Sequence, residues 1–107
     1  MLLLRYFGYL RVVQYVINII MEVKKYIQEN EERFLKELES LIRSPSISAK
    51  AEHKADIATC AERWKELLLE AGVDKAVVMP SAGNPLVYAE KLVDPSAPTV
   101  LVYSHYD

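Results

Sequence analysis

The sequence predicts an α/β fold in which two amino-terminal helices precede the first three strands of a mixed sheet. Two long segments with apolar residues at three- and four-residue spacing come first, and three short β-branched segments separated by proline-rich turns follow. The last of these segments is apolar at every position, which is typical of a strand covered on both faces. At 107 residues, the chain has room for one small domain.

Composition and charge narrow the class of protein. With 51% apolar and 26% charged residues, the chain is an ordinary globular sequence rather than a disordered or collagen-like one. A net charge of −2, with no basic stripe, argues against a nucleic-acid partner. The single cysteine, Cys60, cannot form an internal disulfide, so we expect a cytoplasmic protein. Cys60 falls on the apolar face of a predicted helix, where packing is its expected role.

Residues 1–20 differ in character from residues 21–107, and we divide the chain there. Two arginines argue against a membrane-spanning helix. Polar residues recur at three- to four-residue spacing and predict a polar stripe on a helix: Arg5, Gly8, Arg11, Gln14 and Asn18. A secretory signal would need an uninterrupted apolar core, whereas an amphipathic membrane-surface anchor is physically reasonable. The favoured interpretation is that Met21 is the true start and that residues 1–20 are upstream sequence.

The two predicted helices are residues 22–43 and 55–71. The first carries apolar residues near one face, and Pro45 biases Ser44 away from helical geometry, so the helix is expected to end there. The second repeats apolar residues every three or four positions, including Trp64. Gly72 follows it directly, as expected for a helix that ends in a left-handed conformation.

The three predicted strands are residues 73–79, 86–92 and 99–103, with dense turn signals between them. The third strand is expected at the centre of a sheet. A central strand without further elements to cover it would expose its edges and its apolar side chains. We therefore expect the sequence to be part of a longer domain.

The residues that carry chemistry follow the third predicted strand. His105 and Asp107 would point the same way if the strand extends through them, because side chains alternate between the two faces. A histidine there can bind a metal through one ring nitrogen, while a nearby carboxylate holds the N–H of the other. Taken alone, His-x-Asp is also common in surface turns. His53, the other histidine, is interpreted as a solvated loop residue.

Three segments together resemble the aminoacylase, carnosinase and glutamate carboxypeptidase family of dinuclear zinc peptidases, in particular its dipeptidase-like branch. Residues 41–48, Leu-Ile-Arg-Ser-Pro-Ser-Ile-Ser, are similar to the family's opening segment. Residues 64–72 are similar to its second helix. Residues 100–107, Val-Leu-Val-Tyr-Ser-His-Tyr-Asp, resemble its apolar strand followed by Gly-His-x-Asp, although Ser104 stands where glycine is usual.

The resemblance implies that His105 is the first metal ligand and that Asp107 is the catalytic aspartate beside it. It implies two divalent ions, usually zinc, with cobalt or manganese as substitutes, and a small peptide or N-acyl amino acid as substrate. The other ligands, a glutamate base and a lid domain for homodimerisation would lie beyond Asp107. The fragment alone is therefore expected to be inactive.

Two alternatives belong to other classes of protein. One is a small non-enzymatic α/β interaction module in which His105 and Asp107 are incidental. The other is a membrane-associated protein anchored by residues 1–20. A membrane partner is not expected under the favoured interpretation of that segment.

Overall fold

The computed structural model describes residues 2–107, with side chains from residue 10 onward. It confirms an α/β arrangement. The elements, in order, are helix α1 (Leu2–Ile42), a 3-10 turn (Ala51–His53), helix α2 (Lys54–Glu70) and strands β1 (Lys75–Met79) and β2 (Leu86–Glu90). The chain divides into two compact units, one ending at Lys36 and the other spanning Glu37–Asp107.

Helix α1 is continuous through Met21, the residue at which the sequence suggested a boundary. Its exposed face is supported by contacts one turn apart. Gln14 Nε2 donates to Asn18 Oδ1 at 2.9 Å, and Lys36 Nζ lies 2.7 Å from Glu32 Oε1. The helix ends at Ile42, within one residue of the predicted end. Whether the protein starts at Met21 stays a prediction. Among the residues that the structure describes, no helix is long and apolar enough to cross a membrane.

Helix α2 ends as the sequence predicts. Gly72 has a φ of 89°, a conformation that costs glycine little. The Gly72 N–H donates to Leu69 O at 2.9 Å and the Val73 N–H to Leu68 O at 3.3 Å, which together form a Schellman motif. The motif satisfies two of the helix's last carbonyls and turns the chain towards β1.

Strands β1 and β2 form an antiparallel hairpin whose register pairs Lys75 with Glu90 and Met79 with Leu86. Helix α2 packs against both strands. Ile57, Cys60 and Ala61, all on α2, are at most 1% exposed and form the buried core. The prediction that Cys60 is buried is therefore confirmed.

The third predicted strand is a point of difference. Within residues 2–107 the sheet has two strands, and residues 99–103 adopt no regular secondary structure. Leu101 is 90% exposed and Val100 and Val102 are each 83% exposed. An apolar run of this kind needs a strand neighbour for its backbone and cover on both faces. The prediction of a three-stranded sheet is accordingly corrected to a hairpin for these residues.

Strand β2 also ends two residues earlier than predicted, at Glu90. The Leu92 N–H donates to Asp74 Oδ2 at 2.7 Å, and Lys91 Nζ donates to Asp74 Oδ1 at 3.0 Å. The Asp74 carboxylate thus accepts from the Leu92 N–H the hydrogen bond that a neighbouring strand would otherwise accept. Further along, Asp94 Oδ1 accepts a bond from the Ser96 N–H at 2.8 Å, which turns the chain again.

Candidate functional site

Within the unit Glu37–Asp107, segments far apart in sequence line one open cleft of about 590 Å³. The end of α1 and Trp64 form an apolar wall of the cleft. Two other segments, residues 44–49 and residues 105–107, form a more polar wall. Its lining residues are Leu38, Leu41, Ile42, Ser44, Pro45, Ser46, Ile47, Ser48, Ala49, Trp64, His105, Tyr106 and Asp107. The cleft therefore contains members of all three segments that carry the family resemblance.

Two serine hydroxyls join the polar segments. Ser46 Oγ donates to the carbonyl oxygen of Tyr106 at 2.9 Å. Ser48 Oγ donates to Asp107 Oδ2 at 2.5 Å, across 59 residues of sequence. Successive tight turns after α1 present these serines, since the Ser46 N–H donates to Ser44 O and the Ile47 N–H to Pro45 O, both at 2.8 Å. The sequence motif included both serines but assigned them no role.

Tyr106 fixes the carboxyl-terminal segment to the folded core. The Cys60 thiol donates to its carbonyl oxygen at 3.6 Å, and its hydroxyl donates to the carbonyl of Pro85. Burial raises the pKa of the Tyr106 phenol, as does the negative charge of Cys60 and Asp107 when they are ionised. Sequence reasoning missed Tyr106, because it occupies the unspecified middle position of His-x-Asp and its partners are distant along the chain.

His105 and Asp107 lie on the same side of the segment. His105 Nδ1 is 3.6 Å from Asp107 Oδ1, within ion-pair range if the imidazole is protonated. The two side chains come together although the residues before them are not a strand. The hydrogen bond from Ser48 is the largest cause that lowers the pKa of the Asp107 carboxyl, followed by its own backbone N–H, with His105 contributing further. Asp107 is consequently a carboxylate at neutral pH.

The geometry leaves His105 accessible. Its side chain is 72% exposed, and its ring lies edge-on to that of Tyr103 with centroids 5.3 Å apart. Because Nδ1 faces Asp107, Nε2 is the ring nitrogen that remains to bind a metal. The pair has the composition of a ligand with its orienting carboxylate.

The pair does not make a complete metal site. A catalytic zinc takes three protein ligands and a water. Among residues 2–107, no group of three or more histidine, cysteine or acidic side chains is placed to hold a metal ion. These residues therefore fit one ligand and its partner, and no more.

The sequence suggested that His53 is a solvated loop residue, but the structure shows otherwise. His53 lies at the end of the 3-10 turn, its side chain is 23% exposed, and its Nδ1 is 2.7 Å from Asp56 Oδ2 in the first turn of α2. The pairing joins the turn to the helix that follows. His53 is not among the residues that line the cleft.

No family model, curated protein or solved structure matches this chain. The resemblance to the zinc peptidases rests on the residues of the chain itself.

Proposed function

We propose that this chain supplies the amino-terminal part of the catalytic domain of a dinuclear metallopeptidase. The full enzyme would hydrolyse an amide bond in a dipeptide, a small peptide or an N-acyl amino acid. Its ions would be zinc, with cobalt or manganese as substitutes. A cytoplasmic location and a homodimeric full-length enzyme belong to the same proposal.

The observation that carries the proposal is the meeting of the opening segment with His-x-Asp. Two segments that resemble one family's motifs are 59 residues apart in sequence, yet Ser48 bonds directly to Asp107. Trp64, from the third resembling segment, lines the same cleft. If the three segments resembled the family only by chance, there would be no reason for them to lie together in one cleft.

Each residue has a distinct role in this proposal. His105 binds the metal through Nε2, while Asp107 holds the Nδ1 side of the ring and fixes its tautomer. Ser48 holds the other oxygen of Asp107, at 2.5 Å. When bound, the metal pair supplies polarisation of the scissile carbonyl and lowers the pKa of a water. The remaining ligands and the glutamate base come from other residues, so this fragment by itself is expected to be inactive.

Residues 99–103 do not form a strand here, and the proposal explains this by the absence of the elements that would pair with and cover them. In the proposed catalytic domain, a neighbouring strand pairs with this apolar segment and helices cover its two faces. His105 would then lie at the carboxyl end of a buried strand, where ligand sites of α/β sheets collect.

The decisive test uses a longer protein that continues past Asp107. We expect it to bind zinc or cobalt and to hydrolyse dipeptides or N-acyl amino acids. His105→Ala should weaken metal binding at least tenfold and abolish hydrolysis, because a ligand is lost. His53→Ala is the matched control, since it removes the other histidine outside the cleft, and it should retain both properties.

The non-enzymatic interaction module is the competing function. The exposed apolar side chains of residues 99–103 are the observation that favours it, because exposed apolar patches often mark partner surfaces. A longer protein that binds none of zinc, cobalt and manganese would exclude the peptidase and leave the module.

A further inference from the structure

Tyr106 lies between the two residues of the candidate metal site, but its surroundings differ from theirs. The His105 side chain is 72% exposed and the Asp107 side chain is 40% exposed. Tyr106 is half-buried, and its hydroxyl donates to the carbonyl oxygen of Pro85, directly before β2. These three consecutive residues therefore comprise two accessible polar groups and, between them, one aromatic side chain that is bonded to the folded core.

The backbone of Tyr106 is held as well as its side chain. Its carbonyl oxygen accepts one hydrogen bond from Ser46 Oγ at 2.9 Å and another from the Cys60 thiol at 3.6 Å. Because a peptide bond is planar, these bonds also fix the plane that contains the nitrogen and Cα of Asp107. Helix α2 and the segment after α1 thus hold the backbone on the Asp107 side of Tyr106.

On the other side of Tyr106, the chain gives His105 little support. Residues 100–103 are 81–90% exposed and form no regular secondary structure. The His105 ring contacts the ring of Tyr103, which is itself 81% exposed, and its Nδ1 lies 3.6 Å from Asp107 Oδ1. In the described part of the chain, the Tyr106 side chain is therefore the closest point in sequence at which His105 is fixed to the folded core.

We propose that Tyr106 is a positioning residue for the metal, because its hydroxyl holds the backbone between His105 and Asp107. The metal site itself belongs to the proposed function, on which this role rests. A ligand binds most tightly when it is already close to its bound position, since ordering a residue on binding costs free energy. Losing a group that orients a ligand typically lowers metal affinity about 10–100-fold. Tyr106 acts through the backbone, so we expect an effect of roughly tenfold, at the lower end of this range.

Tyr88 provides a matched comparison on the hairpin. Its hydroxyl donates to Glu90 Oε2 at 2.8 Å, and it is not among the residues that line the cleft. Tyr88→Phe and Tyr106→Phe each remove one hydroxyl and one hydrogen bond, and both keep the aromatic ring. Only the bond lost in Tyr106→Phe holds the residue between His105 and Asp107.

The chain itself tests the positioning without a metal. In Tyr106→Phe, NMR relaxation should give lower order parameters for the backbone amides of His105 and Asp107 than in the unaltered chain. Tyr88→Phe should leave these order parameters unchanged. Urea unfolding, followed by the fluorescence of Trp64, verifies that both variants are folded. Equal order parameters in all three proteins would overturn the positioning role.

Cobalt titration of a longer protein that continues past Asp107 tests the effect on the metal. Tyr106→Phe should raise the dissociation constant for cobalt roughly tenfold and change the visible absorption spectrum of the bound ion, because the ligand geometry is altered. Tyr88→Phe should leave the dissociation constant and the spectrum unchanged. A contribution of Tyr106 to stability alone would lower the urea midpoint without changing the spectrum of bound cobalt.

Failure of the positioning role can be distinguished from failure of the proposed function. If the unaltered longer protein binds none of zinc, cobalt and manganese, the proposed function is wrong and the role of Tyr106 is wrong with it. If the unaltered longer protein binds cobalt and Tyr106→Phe binds it equally tightly, only the positioning role is overturned. Equal losses of affinity in Tyr106→Phe and Tyr88→Phe would also overturn it.

Discussion

The two helices of this protein have similar apolar repeats but opposite outcomes. Helix α2 buries Ile57, Cys60 and Ala61 to 1% exposure or less against the hairpin that follows it. Helix α1 leaves Ile20 49% exposed. An amphipathic repeat thus predicts a helix with one face to bury, but what covers that face depends on the elements available nearby. For α2 the covering strands begin five residues after it ends.

The largest effect that separates the two helices should come from matched isoleucine truncations. Ile57→Ala should lower the free energy of unfolding of the unit Glu37–Asp107 by about 2–5 kcal/mol, because it leaves a cavity in a small core. Ile20→Ala should leave that value unchanged. The fluorescence of Trp64, the single tryptophan, follows urea unfolding of this unit selectively. Equal losses from both variants would remove the distinction between the helices.

A smaller effect should come from the end of α2. Gly72→Ala forces an alanine to a φ of 89° with no neighbouring atom within 4 Å, so the expected loss of roughly 1–2 kcal/mol is conformational strain alone. Gly83→Ala is the matched control. Gly83 does not have a positive φ, and its added Cβ would lie 4.0 Å from Ser81 Oγ. Urea unfolding of both variants measures the difference, and similar stabilities would contradict the assigned Schellman motif.

The comparison also shows which features the sequence could reveal. Local signals located the end of α1 near Pro45, the end of α2 at Gly72 and both strands of the hairpin, because each depends on residues close in sequence. The third strand could not be judged locally, since an apolar run becomes a strand only where a neighbour pairs with it. The end of β2 at Glu90 could not be judged locally either, because it depends on Asp74, which lies 16 residues away.

The candidate site divides in the same way. His105 and Asp107 could be predicted from their spacing and from the resemblance, and the structure brings them within 3.6 Å of each other. The contribution of Ser48 could not, because its partner is 59 residues away and the motif gives no indication of the contact. The role of Tyr106 could not be predicted either, since its hydrogen bonds with Cys60 and Pro85 form only in the folded chain.

The smallest effect should be a pH dependence of the stability that Asp74 contributes beside the hairpin. The Leu92 N–H, and then Lys91, lower the pKa of Asp74 from its ordinary value in the folded protein. A lowered folded-state pKa stabilises the fold above the unfolded value, and this contribution is lost as pH falls through the folded pKa. Asp74→Asn should therefore be less stable than the unaltered protein at neutral pH, and the difference should shrink as the pH falls through the lowered pKa of Asp74.

Lys91→Met provides the control for this prediction. Because the Leu92 N–H is the larger cause, the variant should keep most of the pH dependence that Asp74 provides. Urea unfolding across the acidic range measures all three proteins. A difference between Asp74→Asn and the unaltered protein that does not change with pH would contradict the assigned role of the carboxylate.

The central claim is that His105 is a metal ligand held by Asp107, and the most direct test is a zinc-bound crystal structure of the longer protein. The account predicts zinc on His105 Nε2 at about 2.0–2.1 Å, with the Asp107 carboxylate on the Nδ1 side and Ser48 bonded to it. A zinc ion bound without His105, or an imidazole turned away from Asp107, would contradict it.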